Sequence, residues 1–522
     1  MSVAAFERRF VIQKAVLGGL VLLGLVSVLR LLSYFWSSLT KGSDTILVGL
    51  LLLLALGYVI LQALFVWFVY LRFRPRAPAP ARSGLRVDVY VTACREPAPL
   101  VERALRGALI IRYPHATWLL DDGRDPELRE LATRLGVGYL TRDGNQDLKA
   151  GNVNAALPRT TGDFIAIFDV DHVPDPDFLH RTLGYFADPE VGFVQARVTF
   201  SNAEDGLVAR ASAGTSHEYF CVSAVGKDAC GGAGLMGSNA VIRRTALQSI
   251  GGYQPGLAED LATSLALHAQ GWKSAYVALS IAPGLAPADV PAFLKQQLKW
   301  SRGVFEVALE SLRGRFFRLT LPQKVCYSVR FSYYLVGAGV FAGILGVTTG
   351  LFHSPFDVEG FLGALTPLLV AAVVIRAYVL MVWAREPGSR QAQWRGVSLI
   401  VSTWPMYLTA LLTTVLRIPI PFLATPKGRS GRMPLWAFLP QLLATAGLGA
   451  GVGYRLLCWQ EGPMPMTVAY ALVLIGMHWI IPAAAIDDLA LRDLGRRRPS
   501  SKTASEAAMA SSRVVIVTSP EG

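Results

Sequence analysis

Apolar residues in this chain fall into three regimes. Near the start they form two long stretches, residues 15–36 (interrupted only by Arg30) and 45–71, joined by a polar loop. Each reaches the ~20 residues that a helix needs to cross a ~30 Å hydrocarbon core. Arg8, Arg9 and Lys14 precede the first stretch, and Arg72, Arg74 and Arg76 follow the second. By the positive-inside rule this predicts an in-out-in hairpin. No small-residue cleavage site follows the first stretch, so it reads as an anchor and not as a signal peptide. Residues 75–84 (PRAPAPARSG) predict a Pro/Ala linker that closes a first segment, 1–84.

From residue 85 to about 300 the pattern changes. Short β-rich runs (VDVYVTAC, TWLLDD, DFIAIFDVD, VGFVQARVTF) alternate with charged helical stretches such as PELRELATRLG. That alternation predicts an α/β domain with a mainly parallel sheet. Ligands in such sheets bind outside the strands' carboxyl ends. Residues 301–330 mix apolar and basic positions at helical spacing, as a helix in the membrane interface does.

Apolar runs then recur at 331–352, 361–383, 396–416, 435–458 and 466–486. The loops 353–360 and 460–466 are acidic or neutral and read as outside, whereas 385–395 and 427–432 are basic and read as inside. Run 396–416 lies between two inside loops and carries Trp404, Pro405 and several Ser/Thr, so it is expected to stay at the cytoplasmic interface. Six crossings remain, two before the soluble domain and four after. The block 331–488 thus holds four membrane helices, the segment 396–416 and a loop at 418–433. The Ser/Ala-rich tail, 489–522, is expected to be disordered and cytosolic.

Composition fits this division. The 522 residues are 52% hydrophobic and include 11 Trp, and mean hydropathy is positive. The net charge of +13 would suggest nucleic acid only if it were averaged along the chain. Lys and Arg instead flank the apolar runs, so no nucleic-acid partner is expected and membrane lipid is. The five cysteines are scattered without a C-x-x-C, which indicates neither a disulfide framework nor a zinc site.

Candidate chemistry begins where apolar run 164–168 ends in Asp169-Val170-Asp171. In an extended segment the two carboxylates point the same way, and they repel unless a cation lies between them. Mg²⁺ or Mn²⁺ held by one or two carboxylates completes its shell with phosphate oxygens. The competing reading is a solvated acidic turn. Asp121-Asp122-Gly123 ends another strand, where a carboxylate can meet a base or ribose, or simply form an Asp-Gly turn. Lys149 precedes an apparent helix beside Gly151, which suits phosphate contact or an ordinary helix start. Glu259-Asp260 offers a carboxylate base or acidic capping of the helix that follows. Gln296, Lys299 and Trp300 share adjoining helix faces. The lysine can neutralise a leaving diphosphate and the indole can stack on a sugar, or the set is an interface helix with a Trp anchor.

In order and spacing, these stretches resemble the D, D-x-D, (T/S)-E-D and Q-x-x-R-W signatures of processive family 2 glycosyltransferases, in particular the bacterial cellulose synthase catalytic subunits. Residues 87–97 (VDVYVTACREP) are similar to that family's first strand and nucleotide-binding turn, 235–244 (LMGSNAVIRR) to its F-C-G-S segment, and 422–428 (FLATPKG) to its F-x-V-T-x-K-G gating loop. The resemblance covers roughly residues 10–490. It implies a glycosyltransferase A-type, Rossmann-like domain on the cytosolic side of an inner-membrane helical bundle. The implied activity is inverting polymerisation of a β-glucan from UDP-glucose and threading of the growing polysaccharide across the membrane, with room for a periplasmic export partner.

By the same resemblance, Thr92, Glu96, Asp121, Asp122, Lys149, Asp169, Gln296 and Lys299 bind the nucleotide sugar, and Asp169 and Asp171 bind Mg²⁺ or Mn²⁺. Asp260, with Glu259, supplies the base. Trp300, Gly237 and Ser238 meet the acceptor, and Phe422, Thr425 and Lys427 close over the nucleotide. The chain departs from the signatures at Ala258 (for Thr), Met236 (for Cys), Ala424 (for Val) and Lys299 (for Arg). The last keeps a point charge but loses a bidentate fork. No cyclic-di-GMP-sensing domain is expected after residue 486. Three alternatives stay open: a related synthase using UDP-GlcNAc or GDP-mannose or making another linkage, a catalytically silent scaffold for polysaccharide export, and transfer of one sugar to a lipid carrier.

Overall fold

The β-rich runs of the middle segment become one seven-stranded sheet. The structure, a computed structural model, describes residues 3–39, 46–77, 79–352, 357–384, 389–420, 433–457 and 465–485. The strands are β1 (Val87–Ala93), β2 (Ala116–Asp121), β3 (Gly138–Leu140), β4 (Phe164–Asp169), β5 (Val191–Ala196), β6 (Ala240–Arg243) and β7 (Lys273–Val277). Their order is β3-β2-β1-β4-β6-β5-β7. All neighbours are parallel except β6, which runs antiparallel to both β4 and β5. The expected mainly parallel sheet is therefore present.

Strands β1 to β3 build outward on one side, and β4 returns to the other side of β1. That reversal of strand order opens a crevice at the carboxyl ends of β1 and β4. Register brings Thr92 opposite Asp169 and Ala93 opposite Asp121, so residues far apart in sequence share one edge. Alternation along β4 divides its side chains between two cores. Phe164, Ala166 and Phe168 pack with Val89, Val91 and Leu119, while Ile165 and Ile167 pack with Tyr90, Leu120 and Val153.

Among the described residues, five helices are long and apolar enough to cross a membrane: Glu7–Ser37, Leu53–Leu71, Leu321–Phe352, Val358–Trp383 and Pro465–Ala485. The segment expected at the interface is a bent pair, Trp394–Ser402 and Trp404–Val415, with 47° between them. The run expected to cross at 435–458 forms the helix Leu439–Leu457, which is not among the five. It carries Gln441 and Arg455, both buried. The Arg455 guanidinium donates to the carbonyls of Leu351 (2.5 Å) and Gly350 (3.3 Å), so its charge is met inside the bundle.

The boundary expected at Trp300 falls inside one continuous helix, Val290–Ser311. This helix ties the sheet domain to the bundle: the Tyr407 hydroxyl donates to Gln297 Oε1 at 3.0 Å. Within the stretch expected at the interface, a Thr320/Gln323 capping box opens the helix Leu321–Ser332. That helix opens the span Leu321–Phe352. The gating-loop residues and the tail lie outside the described residues.

Candidate functional site

The site grows from the end of β4. The extended backbone stops at Asp169, and the His172 N–H closes a turn on the Asp169 carbonyl at 2.9 Å. Asp171 thus sits in a turn and not in the strand. Asp169 stays half-buried, and its Oδ1 accepts from Thr92 Oγ1 at 3.2 Å. Its backbone N–H donates to Ser238 Oγ at 3.0 Å. Asp171 is 3% exposed, and its Oδ2 accepts from the Leu285 N–H at 3.3 Å.

Lys149 is the hub. It lies in the first turn of the helix Leu148–Ala156. Its ammonium bonds Asp169 Oδ1 and donates to the Gly237 carbonyl at 2.7 Å. Burial opposes its charge, but Asp169, Glu259 and Asp260 outweigh burial and hold its pKa above the ordinary lysine range. Gly237 has φ +82°. A side-chain carbon there would lie 3.8 Å from Lys149 Nζ and 3.9 Å from Asp260 Oδ2, so this backbone passes between lysine and acid.

The turn around Gly237 is fastened on both sides. The Leu235 N–H donates to Ser264 Oγ at 2.7 Å, and the Met236 N–H donates to Gln195 Oε1 at 2.8 Å. Gln195 Nε2 donates to the Ser238 carbonyl at 2.8 Å. Gln195, Ser264 and Asn239 are fully buried. Asn239 holds φ +59° while its side chain donates to the Ala282 carbonyl at 2.8 Å.

Glu259 and Asp260 open the helix Glu259–Ala269, where the helix dipole favours negative charge. Burial, then the charge of Asp260, pushes the Glu259 carboxyl up to about 7, with Lys299 and Lys149 pulling the other way. Two lysines from distant segments therefore lie within electrostatic reach of this acid. Helix Val290–Ser311 supplies Lys299 and approaches closely at Gly303, where a side-chain carbon would fall 2.7 Å from the Ala258 backbone nitrogen. On that helix Gln296 and Lys299 are half-buried and Trp300 is 43% exposed.

At the end of β2 the two aspartates divide their work. Asp121 is fully buried and accepts from the Gly123 N–H (2.8 Å), the Asp125 N–H (2.7 Å) and the Tyr139 hydroxyl (2.9 Å). These bonds tie its carboxylate to the turn. Asp122 is gripped by Arg142, from Nε to Oδ1 at 2.6 Å and from Nη2 to Oδ2 at 2.8 Å. Glu96 folds back, and its carboxylate accepts from the Cys94 N–H.

The sequence reading missed Arg142, Gln195, Ser264, Gln297 and Gly303. A polar Gln195 inside the otherwise apolar start of VGFVQARVTF was a signal it could have used. The others stand in no pattern.

Among the described residues, no group of three or more His, Cys, Asp or Glu could hold a metal ion. The carboxylates of Asp169 and Asp171 are two oxygen-donor groups, one bonded to Lys149 and the other to a backbone N–H. Such a set fits Mg²⁺ or Mn²⁺ that draws its remaining ligands from phosphate, and it does not fit a permanently caged ion.

Residues 164–481 match the model of the glycosyl transferase family group 2. The cellulose synthase catalytic subunit [UDP-forming] of Xanthomonas axonopodis pv. citri (strain 306) is 33% identical over 58% of this chain and 44% of its own length. That of Pseudomonas fluorescens (strain SBW25) is 30% identical over 77% and 56%, and cellulose synthase 1 of Komagataeibacter xylinus is 34% identical over 60% and 21%. The chain thus spans about half or less of these relatives. Among solved structures, a mannosyltransferase from Pyrobaculum calidifontis in complex with GDP-Man and Mn²⁺ aligns with a TM-score of 0.46 at 17% identity. That alignment covers 71% of this chain and 100% of that one.

Proposed function

The chain belongs to family 2 of the glycosyltransferases, and on that premise we propose that it polymerises a cellulose-like β-glucan from UDP-glucose. In this reading it is an inverting, processive enzyme of the inner membrane, with its sheet domain in the cytoplasm and the polymer leaving through its own helices. One observation carries the reading. The Lys149 ammonium joins Asp169 at the end of β4 to the Gly237 carbonyl, within electrostatic range of Glu259 and Asp260. Four separate stretches of the motif series meet at one cation. The arginine-rich flanks of the first two apolar stretches support the orientation.

Asp260 takes the proton of the acceptor hydroxyl, whose oxygen then attacks the anomeric carbon from the face opposite the diphosphate. Burial pushes Glu259 up to about 7, which lessens the negative charge beside the incoming hydroxyl near neutrality. Asp122, presented by the turn that Asp121 closes, meets the uracil, with Thr92 and Glu96 lining the same nucleotide crevice. Lys149 and Lys299 balance the diphosphate as it leaves, with Gln296 beside them. Trp300 supports the terminal sugar over Gly237 and Ser238. Asp169 and Asp171 would hold Mg²⁺ or Mn²⁺, which supplies charge neutralisation to the leaving diphosphate.

The test is linkage analysis of the product that membranes containing the full chain make from radiolabelled UDP-glucose with Mg²⁺ or Mn²⁺. A β-linked glucan with UDP release is expected, and incorporation should vanish in Asp260→Asn at unchanged expression. Release of GDP from a different donor, or a short organic-soluble product, would overturn the reading.

A further inference from the structure

Arg142 belongs to none of the motifs, yet its guanidinium spends four N–H donors on three partners, the Asp122 carboxylate and two carbonyls of the turn that carries Lys149. Besides its fork on Asp122, Nη1 donates to the Gln146 carbonyl at 2.6 Å and Nη2 to the Leu148 carbonyl at 2.9 Å. Both side chains of the ion pair are enclosed, 14% exposed for Arg142 and 4% for Asp122. An arginine fork of this kind fixes orientation as well as charge.

The turn it holds is strained. Asp147 and Leu148 are consecutive non-glycine residues with φ +57° and +49°, a left-handed conformation that L side chains adopt rarely and only where surroundings enforce it. The next residue is Lys149. Gly151 shows how tightly the turn is packed: a side-chain carbon there would lie 2.1 Å from the Gln146 carbonyl oxygen and 2.3 Å from Arg142 Nη1.

We propose that Arg142 is a positioning residue that couples the two ends of the donor site, clamping Asp122 and the strained turn that aims Lys149. The proposal rests on the donor-site reading given above. Through this clamp a base seated on Asp122 stiffens the turn, and a phosphate seated on Lys149 stiffens Asp122. Arg142 itself touches neither.

The test compares inhibition of polymer synthesis by UDP, by uridine and by inorganic pyrophosphate in the full-length protein. Asp122→Asn should weaken uridine most and, because the fork loses one of its two acceptors, pyrophosphate to a smaller extent. Arg142→Lys keeps the charge and loses the fork. It should weaken both fragments, with UDP inhibition falling about 10-fold or more. Gly151→Ala presses on the clamp from the far side without changing any charge, and should also weaken pyrophosphate. It is the variant to read if Arg142→Lys fails to fold. Native pyrophosphate inhibition in whichever variant is folded would overturn the coupling. A native protein that UDP does not inhibit would instead overturn the donor-site reading itself.

Discussion

Replacing Glu259 by glutamine should stabilise the protein at high pH and leave it unchanged at low pH. Burial first, and the neighbouring Asp260 charge second, raise this carboxyl from 4.5 to about 7. An acid whose pKa is higher in the folded chain takes up a proton on folding. Its contribution to stability is therefore intact below about 4.5, is lost as the pH rises toward about 7, and stays lost above that. A rise of ~2.5 pH units at ~1.4 kcal/mol each sets a ceiling near ~3 kcal/mol, and the solvent that a half-buried group still meets lowers this to ~1–3 kcal/mol. Glutamine keeps the shape and cannot ionise, so it escapes the loss. Thermal unfolding of the full chain in detergent, native against variant, should show no gap at about pH 4.5 and a gap of a few degrees at about pH 8. A gap of the same size at every pH would refute the assignment of a strained, ionising Glu259.

Three further outcomes follow from the same geometry. Gly303→Ala drives a methyl onto the Ala258 backbone, 2.7 Å from its nitrogen. That parts the helix bearing Lys299 from the acids at 259 and 260, and kcat should fall by about 10²-fold with donor KM little changed. Lys299→Arg restores a bidentate fork, and donor KM should fall about 3- to 10-fold if the side chain meets the diphosphate. An unchanged KM would place it elsewhere. Because no group of three or more ligands stands together among the described residues and the Asp169 carboxylate is bonded to Lys149, titration with Mn²⁺ alone should give weak binding. UDP should tighten it by about 10-fold or more, whereas equal affinity with and without UDP would contradict a metal that arrives with its nucleotide.

What could be read from the sequence was what is local. An apolar run ending in acids, as in DFIAIFDVD, marks both a strand and the edge where it stops, so the sheet and its acidic rim were legible. The charged flanks of the apolar stretches likewise outlined the helical bundle. Local geometry departed from the assumption where the strand ended two residues sooner, at Asp169. The alternation argument for Asp169 and Asp171 needed extended backbone through Asp171, but a turn begins at Asp169, and Asp171 meets the Leu285 N–H instead. The helix Leu439–Leu457 was judged on apolar length, and the buried Gln441 and Arg455 on it answer to neighbours that the sequence does not place beside it.

Three of the residues that escaped the sequence reading, Gln195, Ser264 and Arg142, share one physical trait: each satisfies backbone groups of a loop at the site. Gln195 and Ser264 receive the N–H groups of Met236 and Leu235, and Arg142 serves the carbonyls of Gln146 and Leu148. A loop packed into an enzyme's centre must satisfy every amide it buries, and it draws on whichever polar side chain the fold delivers there. Such a side chain carries no motif, because any donor or acceptor of the right reach would serve. Its replacement is nonetheless costly, since a buried amide left without a partner forfeits ~1–3 kcal/mol. The acids and lysines that meet substrate obey the reaction and therefore repeat in recognisable spacings. The groups that hold them still obey only the backbone, and it is those groups that set whether Lys149, Gly237 and Asp260 remain within a few ångströms of one another.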